Sequence, residues 1–229
     1  MAKTKIAVLV SGGGTNLQAL IDAQGSVLNS GEIVLVVSNA RGAYALERAK
    51  KAGIATETVL KKECGSQEAF EEKLKKVLTA HGIEVIILAG FMTILTENFT
   101  SAYPKRILNV HPSLIPSFCG EGFYGLKVHE EALKYGVKVT GATVHFVNEI
   151  PDGGEIIAQK AVYIEEGVFI ASSAFLWLAG VTPAQHFASI VTGTSGKAAL
   201  MSIALEITHI SVQRPINSTL SRSFALCKR

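Results

Sequence analysis

The chain lacks the features that would assign it at once to several common protein classes. Its three cysteines are an odd set without metal-ligand spacing, which favours free thiols in a reducing compartment over a disulfide scaffold: Cys64, Cys119 and Cys227. No cluster of lysine and arginine marks a nucleic-acid surface, and the formal net charge is only +3. No uncharged apolar run of the tail is long enough to cross a bilayer as a helix, and the first strand begins without a signal-peptide pattern. We expect a cytoplasmic protein with neither a nucleic-acid nor a membrane partner.

What the chain does contain is an alternation of apolar strands and amphipathic helices. Its 229 residues, 48% hydrophobic and 18% charged, can fill one large α/β domain, or one domain with a short appendage. Apolar runs bounded by turn residues predict strands at 5–10, 33–37, 56–60, 85–89, 107–110, 138–147 and 155–162. Helices are predicted after the first strand and at 44–52, 67–81 and 126–135. This order predicts a doubly wound parallel sheet with a site along its carboxyl edge.

Two groups of charged or titratable residues receive structural interpretations. The charged side chains of helix 67–81 are predicted to form its solvated face: Glu68, Glu71, Glu72, Lys73, Lys75 and Lys76. His129 and His145 complete no metal-ligand set, and we predict a helical surface position or strand packing for each. No metal site is expected.

The first strand leads into a glycine-rich turn, Ser11-Gly12-Gly13-Gly14-Thr15-Asn16, and then into an amphipathic helix. This geometry recurs at anion sites, because backbone N–H groups and the helix dipole both favour negative charge. Thr15 and Asn16 could add side-chain donors to a phosphate. A tight turn without a ligand is the alternative. A dinucleotide site is disfavoured, because Leu17 occupies the third glycine position and the second strand ends without an acidic residue.

A second candidate site lies where strand 107–110 stops at Pro112. Residues two apart on a strand share a face, so Asn109 and His111 should project together. A neutral amide beside a titratable imidazole suits polarising a carbonyl and moving a proton. The alternative is a hydrogen-bonded structural histidine beside a turn residue. The loop 112–125 is predicted to contact a substrate, because it lies beside this point.

Two further segments have no function assigned by their pattern alone. The apolar residues after strand 85–89 could be core or the wall of a pocket: Phe91, Met92, Ile94 and Leu95. Asp152 precedes two glycines in the turn 149–154, where a carboxylate is normally a turn former.

About residues 5–163 closely resemble the phosphoribosylglycinamide formyltransferases, folate-dependent enzymes of purine synthesis. The resemblance is carried, in order and with ordinary spacing, by VLVSGGGTNLQALIDA, VVSNARG, ILAGFMTIL, NVHPSLIPSF, GATVHFV and DGGEIIAQKAV. It implies a Rossmann-like α/β fold, doubly wound and mostly parallel, with antiparallel C-terminal strands. It also implies formyl transfer from 10-formyltetrahydrofolate, a co-substrate, to the amine of glycinamide ribonucleotide. No metal is implied, and a homodimer is the candidate assembly.

The resemblance implies site residues position by position. The matches to the family's catalytic trio are Asn109, His111 and Asp152, and those to its phosphate cradle are Gly14, Thr15 and Asn16. The matches to its folate pocket are Gln67, Met92, Thr93, Ile94, Leu95 and Asn109, with the loop before Asp152. In this interpretation Asn109 and a cationic His111 donate hydrogen bonds to the developing oxyanion. Asp152 keeps His111 cationic and orders a proton-carrying water.

The chain departs from the family at two folate positions and in its tail. Thr93 stands where an arginine is frequent, and Gln67 where a basic residue is expected. From 168 to 229 the only acidic residue is Glu206, and nothing resembles the family's charged closing helix. We predict a formyltransferase domain at 1–167 and an atypical tail at 168–229, frame-shifted or foreign in origin, that docks poorly and leaves activity open. A divergent apolar closing helix is the alternative.

Three other functions compete with this one. A methionyl-tRNA formyltransferase would carry a further nucleic-acid-binding domain, for which the tail has too few basic residues. A formyltetrahydrofolate hydrolase would share the catalytic trio but usually begins with a regulatory domain, whereas the first strand starts at Lys5. An impaired, non-enzymatic binder of ribotide or folate is suggested by the tail alone.

Overall fold

The computed structural model of the chain describes residues 3–26 and 28–164. The predicted tail 168–229, its Cys227 and the predicted domain boundary at residue 167 lie outside the described residues. Within them the elements follow one another as β1 Thr4–Val10, α1 Thr15–Ala23, β2 Gly31–Ser38, α2 Tyr44–Lys51, β3 Ala55–Thr58, α3 Lys61–Cys64, α4 Gln67–Ala80, β4 Val85–Leu88, α5 Glu97–Thr100, β5 Ile107–His111, α6 Leu126–Tyr135, β6 Val139–Phe146 and β7 Ile156–Tyr163.

The predicted strands and longer helices are present, with small differences at their ends. The pattern does not predict α3 and α5, each of four residues. One helical turn is too short for an apolar periodicity to register. Helix α2 ends at Lys51, one residue before the predicted end, and Gly53 follows with φ +72°, a conformation that suits glycine.

The strands form one seven-stranded sheet in the order β3-β2-β1-β4-β5-β6-β7. The pairs from β3 to β5 are parallel, and β6 and β7 are antiparallel to their neighbours. The expected fold class is therefore confirmed. The chain order reverses between β1 and β4, so the segments after these two strands meet at the carboxyl edge of the sheet, where α/β folds bind ligands.

The core consists of two apolar layers, one on each face of the sheet. On β1, Ile6, Val8 and Val10 belong to the layer shared with α1 and α2, while Ala7 and Leu9 belong to the layer shared with α4. All five are 0% exposed, as expected of a central parallel strand covered on both sides. The burial of this strand fixes the position of the glycine-rich turn that follows it.

The prediction that Glu71 lies on a solvated face is wrong, because its side chain is 1% exposed. Positions 71, 74 and 78 follow one stripe of α4, and Leu74 and Leu78 on that stripe are core residues. The charge of Glu71 predicts exposure, whereas its position on the helix, in line with Leu74 and Leu78, indicates burial. The other residues predicted for this face are exposed, apart from the half-buried Lys75: Glu68, Glu72, Lys73 and Lys76.

Candidate active site

Asn109, His111 and Asp152 come together at the carboxyl edge of the sheet. Asn109 and His111 lie two apart on β5, and Asp152 lies in the turn between β6 and β7. The Asp152 carboxylate reaches both, with Oδ2 3.3 Å from His111 Nδ1 and Oδ1 3.5 Å from Asn109 Nδ2. The predicted projection of Asn109 and His111 toward a shared point is thus found, and the turn adds a negative charge between them.

His111 is buried, at 4% exposure, and both of its ring nitrogens face acceptors. Nε2 lies 2.8 Å from the carbonyl oxygen of Phe118, and Nδ1 faces the Asp152 carboxylate. A carbonyl and a carboxylate only accept hydrogen bonds, so each ring nitrogen of His111 faces a group to which an N–H can donate. These two contacts fix the orientation of the ring at the sheet edge.

Asp152 contacts two further groups besides Asn109 and His111. The Gly120 N–H donates to its Oδ2 at 2.9 Å, and His145 Nε2 lies 3.6 Å from its Oδ1. Burial is the largest influence on the pKa of Asp152 and raises it. Contacts with His145, the Gly120 N–H and His111 together outweigh burial and bring the pKa below its ordinary value. The carboxylate is consequently charged at neutral pH.

His145 belongs to this cluster, although its sequence context predicts only a helical surface position or strand packing. It is 1% exposed and lies directly opposite Asn109 in the antiparallel pair β5–β6. Its Nδ1 lies 2.8 Å from the Phe146 carbonyl oxygen, and its Nε2 lies 3.1 Å from Asn109 Nδ2 and 3.6 Å from Asp152 Oδ1. His145 therefore orients the Asn109 amide. Only the register of β5 against β6 could have identified it.

His129 is a second buried histidine near the cluster, and the prediction of a helical surface position for it is wrong. It is 9% exposed on α6. Burial is the main cause of its lowered pKa, and the nearby His111 lowers the pKa further. Both influences favour the neutral form of the His129 ring.

The loop 112–125 contacts the trio through its backbone. Its Phe118 carbonyl accepts from His111, and its Gly120 N–H donates to Asp152. The loop is anchored to β6 by Thr143, whose hydroxyl donates to the Ser113 carbonyl at 2.7 Å and accepts from the Ile115 N–H at 3.0 Å. The loop was predicted to contact substrate, and in the described structure it positions two of the trio.

The glycine-rich turn leaves open space at the start of α1. A methyl group added at Gly12 or Gly13 would meet no atom within 4 Å. Gly14 differs, because its φ is +71° and an added Cβ would lie 2.6 Å from Ala45 Cβ on α2. Gly14 is thus required by backbone conformation and helix packing. Thr15 and Asn16 are exposed in the first turn of α1, where N–H groups favour an anion.

Arg48 of α2 was not singled out by the sequence, and it supports this turn. Its Nε donates to the Gly13 carbonyl at 2.8 Å, and its Nη1 donates to Gln18 Oε1 at 3.1 Å. The guanidinium also lies 4.9 Å from the centre of the Tyr44 ring. A positive charge is therefore fixed beside the turn.

The predicted folate residues after β4 divide into exposed and buried ones. Met92 and Ile94 are 55% and 62% exposed, while Leu95 is 3% exposed and belongs to the core. Thr93 Oγ1 accepts from Asn39 Nδ2 at 2.7 Å. Gln67 donates from Nε2 to the Ile94 carbonyl at 3.1 Å. The side chains of Met92 and Ile94 thus face solvent, whereas the Gln67 amide makes a hydrogen bond within the protein.

Neither a metal site nor a membrane-spanning helix is present in the part of the chain that the structure describes. Within residues 3–26 and 28–164, no three histidine, cysteine, aspartate or glutamate side chains are grouped so as to hold a metal ion. In the same part of the chain, no helix has the length and apolar character needed to cross a membrane.

Comparison with known proteins gives consistent relatives. A family model described as "Formyl transferase" matches residues 4–168. The trifunctional purine biosynthetic protein adenosine-3 of Gallus gallus is 47% identical over 165 residues, 72% of this chain but only 16% of that protein. Phosphoribosylglycinamide formyltransferase of Escherichia coli (strain K12) is 43% identical over 162 residues, 71% of this chain and 74% of that protein. The crystal structure of glycinamide ribonucleotide transformylase 1 from Symbiobacterium toebii has a TM-score of 0.68 and 41% identity, over 73% of this chain and 77% of that chain.

Proposed function

This chain belongs to the phosphoribosylglycinamide formyltransferase family, and from that premise we propose that it transfers a formyl group from 10-formyltetrahydrofolate to the amine of glycinamide ribonucleotide in purine biosynthesis. The observation that supports this most directly is the convergence of Asn109, His111 and Asp152 at the sheet edge. An amide donor, an imidazole and a carboxylate can supply the oxyanion stabilisation and proton transfer that acyl transfer to an amine uses.

The proposed chemistry follows from the partners of each group. The ribonucleotide amine attacks the formyl carbon, and the carbonyl oxygen becomes an oxyanion. Asn109 stabilises it by donating a hydrogen bond, and His111 does so when its Nε2–H exchanges the Phe118 carbonyl for the oxyanion. The hydrogen bond from Asn109 Nδ2 to Asp152 Oδ1 is long, at 3.5 Å. Because it is weak, the N–H that makes it is the one most readily redirected to a substrate oxygen. Asp152 stabilises the His111 cation and, through a water, carries the proton lost by the amine toward the departing folate nitrogen.

The two substrates are assigned to the two loops after β1 and β4. The open turn at Gly12 and Gly13, with Thr15 and Asn16 at the start of α1, suits the phosphate of the ribonucleotide. The exposed Met92 and Ile94 offer an apolar surface suited to the ring system of a folate. Leu95 supports this surface from the core.

The assignment is tested with the purified full-length chain, glycinamide ribonucleotide and 10-formyltetrahydrofolate. Release of tetrahydrofolate is measured with and without the ribonucleotide. Release that depends on the ribonucleotide is expected. Equal release without it would identify a formyltetrahydrofolate hydrolase, and binding of both ligands without release would identify an impaired family member.

The impaired alternative is suggested by one observation, the composition of the tail. Glu206 is the only acidic residue from 168 to 229. The nucleotide sequence provides a separate test, since a family-like charged helix in another reading frame would support a frame shift. We further propose a cytoplasmic homodimer, which sizing of the purified chain over a range of concentrations would test.

A further inference from the structure

A buried carboxylate lies beneath the segment 92–96, apart from the candidate trio. Glu71 is 1% exposed on α4, next to the core residue Phe70 and on the same stripe as Leu74. A carboxylate in an apolar layer is unfavourable unless hydrogen bonds satisfy it. The groups that satisfy Glu71 therefore indicate what it holds in place.

The hydrogen-bond partners of Glu71 are Thr96, in the segment 92–96, and Gln67, which itself contacts that segment. Its Oε1 accepts from the Thr96 N–H at 2.8 Å and from Gln67 Nε2 at 2.6 Å, and its Oε2 accepts from the Thr96 hydroxyl at 2.5 Å. Gln67 Nε2 also donates to the Ile94 carbonyl. One buried carboxylate thus fixes Thr96 directly and Ile94 through Gln67.

The segment depends on such contacts because it has no helix or strand of its own. Residues 92–95 lie between β4 and α5 without regular hydrogen bonding. They are held instead by side chains of other elements: Ser11 at the Met92 N–H, Asn39 at Thr93, Gln67 at Ile94 and Glu71 at Thr96. A loop that is ordered before binding does not lose that conformational freedom when the ligand arrives.

We propose that Glu71 is a positioning residue for the formyl-folate site, which orders the segment 92–96 so that Met92 and Ile94 present a fixed apolar surface. The inference rests on the proposed function, because it takes this surface to be the folate site. It predicts that loss of the carboxylate weakens folate binding selectively. The ribonucleotide phosphate is assigned to a different loop and should bind as before.

The test compares Glu71→Ala with Glu72→Ala in the full-length chain by calorimetric titration. Each protein is titrated with 10-formyltetrahydrofolate and, separately, with glycinamide ribonucleotide. Glu71→Ala should raise the folate Kd about tenfold and leave the ribonucleotide Kd within about twofold, because a buried hydrogen-bond acceptor is lost at one site only. Glu72 is exposed on the same helix, so Glu72→Ala should change neither Kd.

Two conservative variants separate positioning from general stability. Glu71→Gln keeps an acceptor for the Thr96 N–H and supplies a donor to its hydroxyl, so it should recover most of the folate affinity. Thr96→Val keeps Glu71 but removes the hydroxyl, and should weaken folate binding in the same direction by a smaller factor. Folate binding by Glu71→Ala equal to that of the unaltered chain, or equal weakening of both ligands, would overturn the inference. Absence of folate binding by the unaltered chain would instead overturn the proposed function, and this inference with it.

Discussion

The glycine-rich turn and the cluster around Asp152 prepare the sheet edge for a ligand in opposite ways. The turn presents exposed backbone and space, with Gly12 and Gly13 open to solvent. The cluster consists of side chains that are mutually satisfied and largely buried, with His111 at 4% and His145 at 1% exposure. Removing a side chain from the cluster leaves buried partners unpaired, whereas removing one from the turn forfeits an exposed donor. The turn should therefore be sensitive to backbone shape and charge, and the cluster to the loss of a single group.

The largest effect is expected in the cluster. His111→Ala should lower kcat by about 10²–10⁴-fold, because it removes both the proton donor and a stabiliser of the oxyanion. Steady-state kinetics of formyl transfer measure this, with circular dichroism as the control for folding. Turnover near that of the unaltered chain in a folded variant would reduce His111 to a structural histidine.

In the turn, backbone shape can be tested at Gly14. Gly14→Ala should lower the free energy of unfolding by about 1–3 kcal/mol, because it combines a positive φ with a close approach to Ala45. Gly25→Ala is the matched control, since Gly25 has φ +77° and no atom within 4 Å of an added Cβ. Denaturant titration of both variants separates the two causes. Equal losses would mean that the packing of Gly14 on α2 contributes nothing.

Charge in the turn can be tested at Asn16. Asn16→Asp should raise the Kd for glycinamide ribonucleotide about tenfold and spare the folate, because a carboxylate would face the phosphate at short range. Asn16→Ala removes the donor without adding charge and should have a smaller effect. Calorimetry that found both ligands weakened equally by Asn16→Asp would argue that the turn is structural.

The smallest effect expected is a pH dependence of stability that belongs to the cluster. The pKa of Asp152 is below its ordinary value in the folded chain, so its charged form stabilises the fold above the unfolded-state pKa of about 3.9. That contribution should disappear as the pH falls through the lower folded-state value. Urea titrations across this range should show a steeper acid loss for the unaltered chain than for Asp152→Asn. Parallel curves would contradict the pKa direction.

The sequence predicts the fold well because each strand and each longer helix carries its own local signal. Central strands such as β1 are continuous apolar runs, and glycines mark where the chain turns. The pair Asn109 and His111 is also predictable, since alternation along a single strand places both on one face. These predictions need no knowledge of which strands are neighbours.

The remaining parts of the site depend on contacts between distant parts of the chain. Asp152 meets Asn109 and His111 because its turn folds back over β5. By local pattern alone it is only a turn former. His145 meets Asn109 through the register of β5 against β6. The burial of Glu71 is unpredictable for a different reason, since a carboxylate is normally exposed and its hydrogen bonds with the distant Thr96 and with Gln67 make burial tolerable.

The hydrogen bond from the Met92 N–H to Ser11 Oγ, at 2.8 Å, joins the segment after β4 to the start of the glycine-rich turn. The loops proposed for the two substrates are therefore joined by a direct hydrogen bond. Coupling between the two proposed binding events can pass through this contact only where a bound ligand changes it. Linkage is reciprocal: whatever factor the ribonucleotide applies to folate affinity, the folate must apply to ribonucleotide affinity.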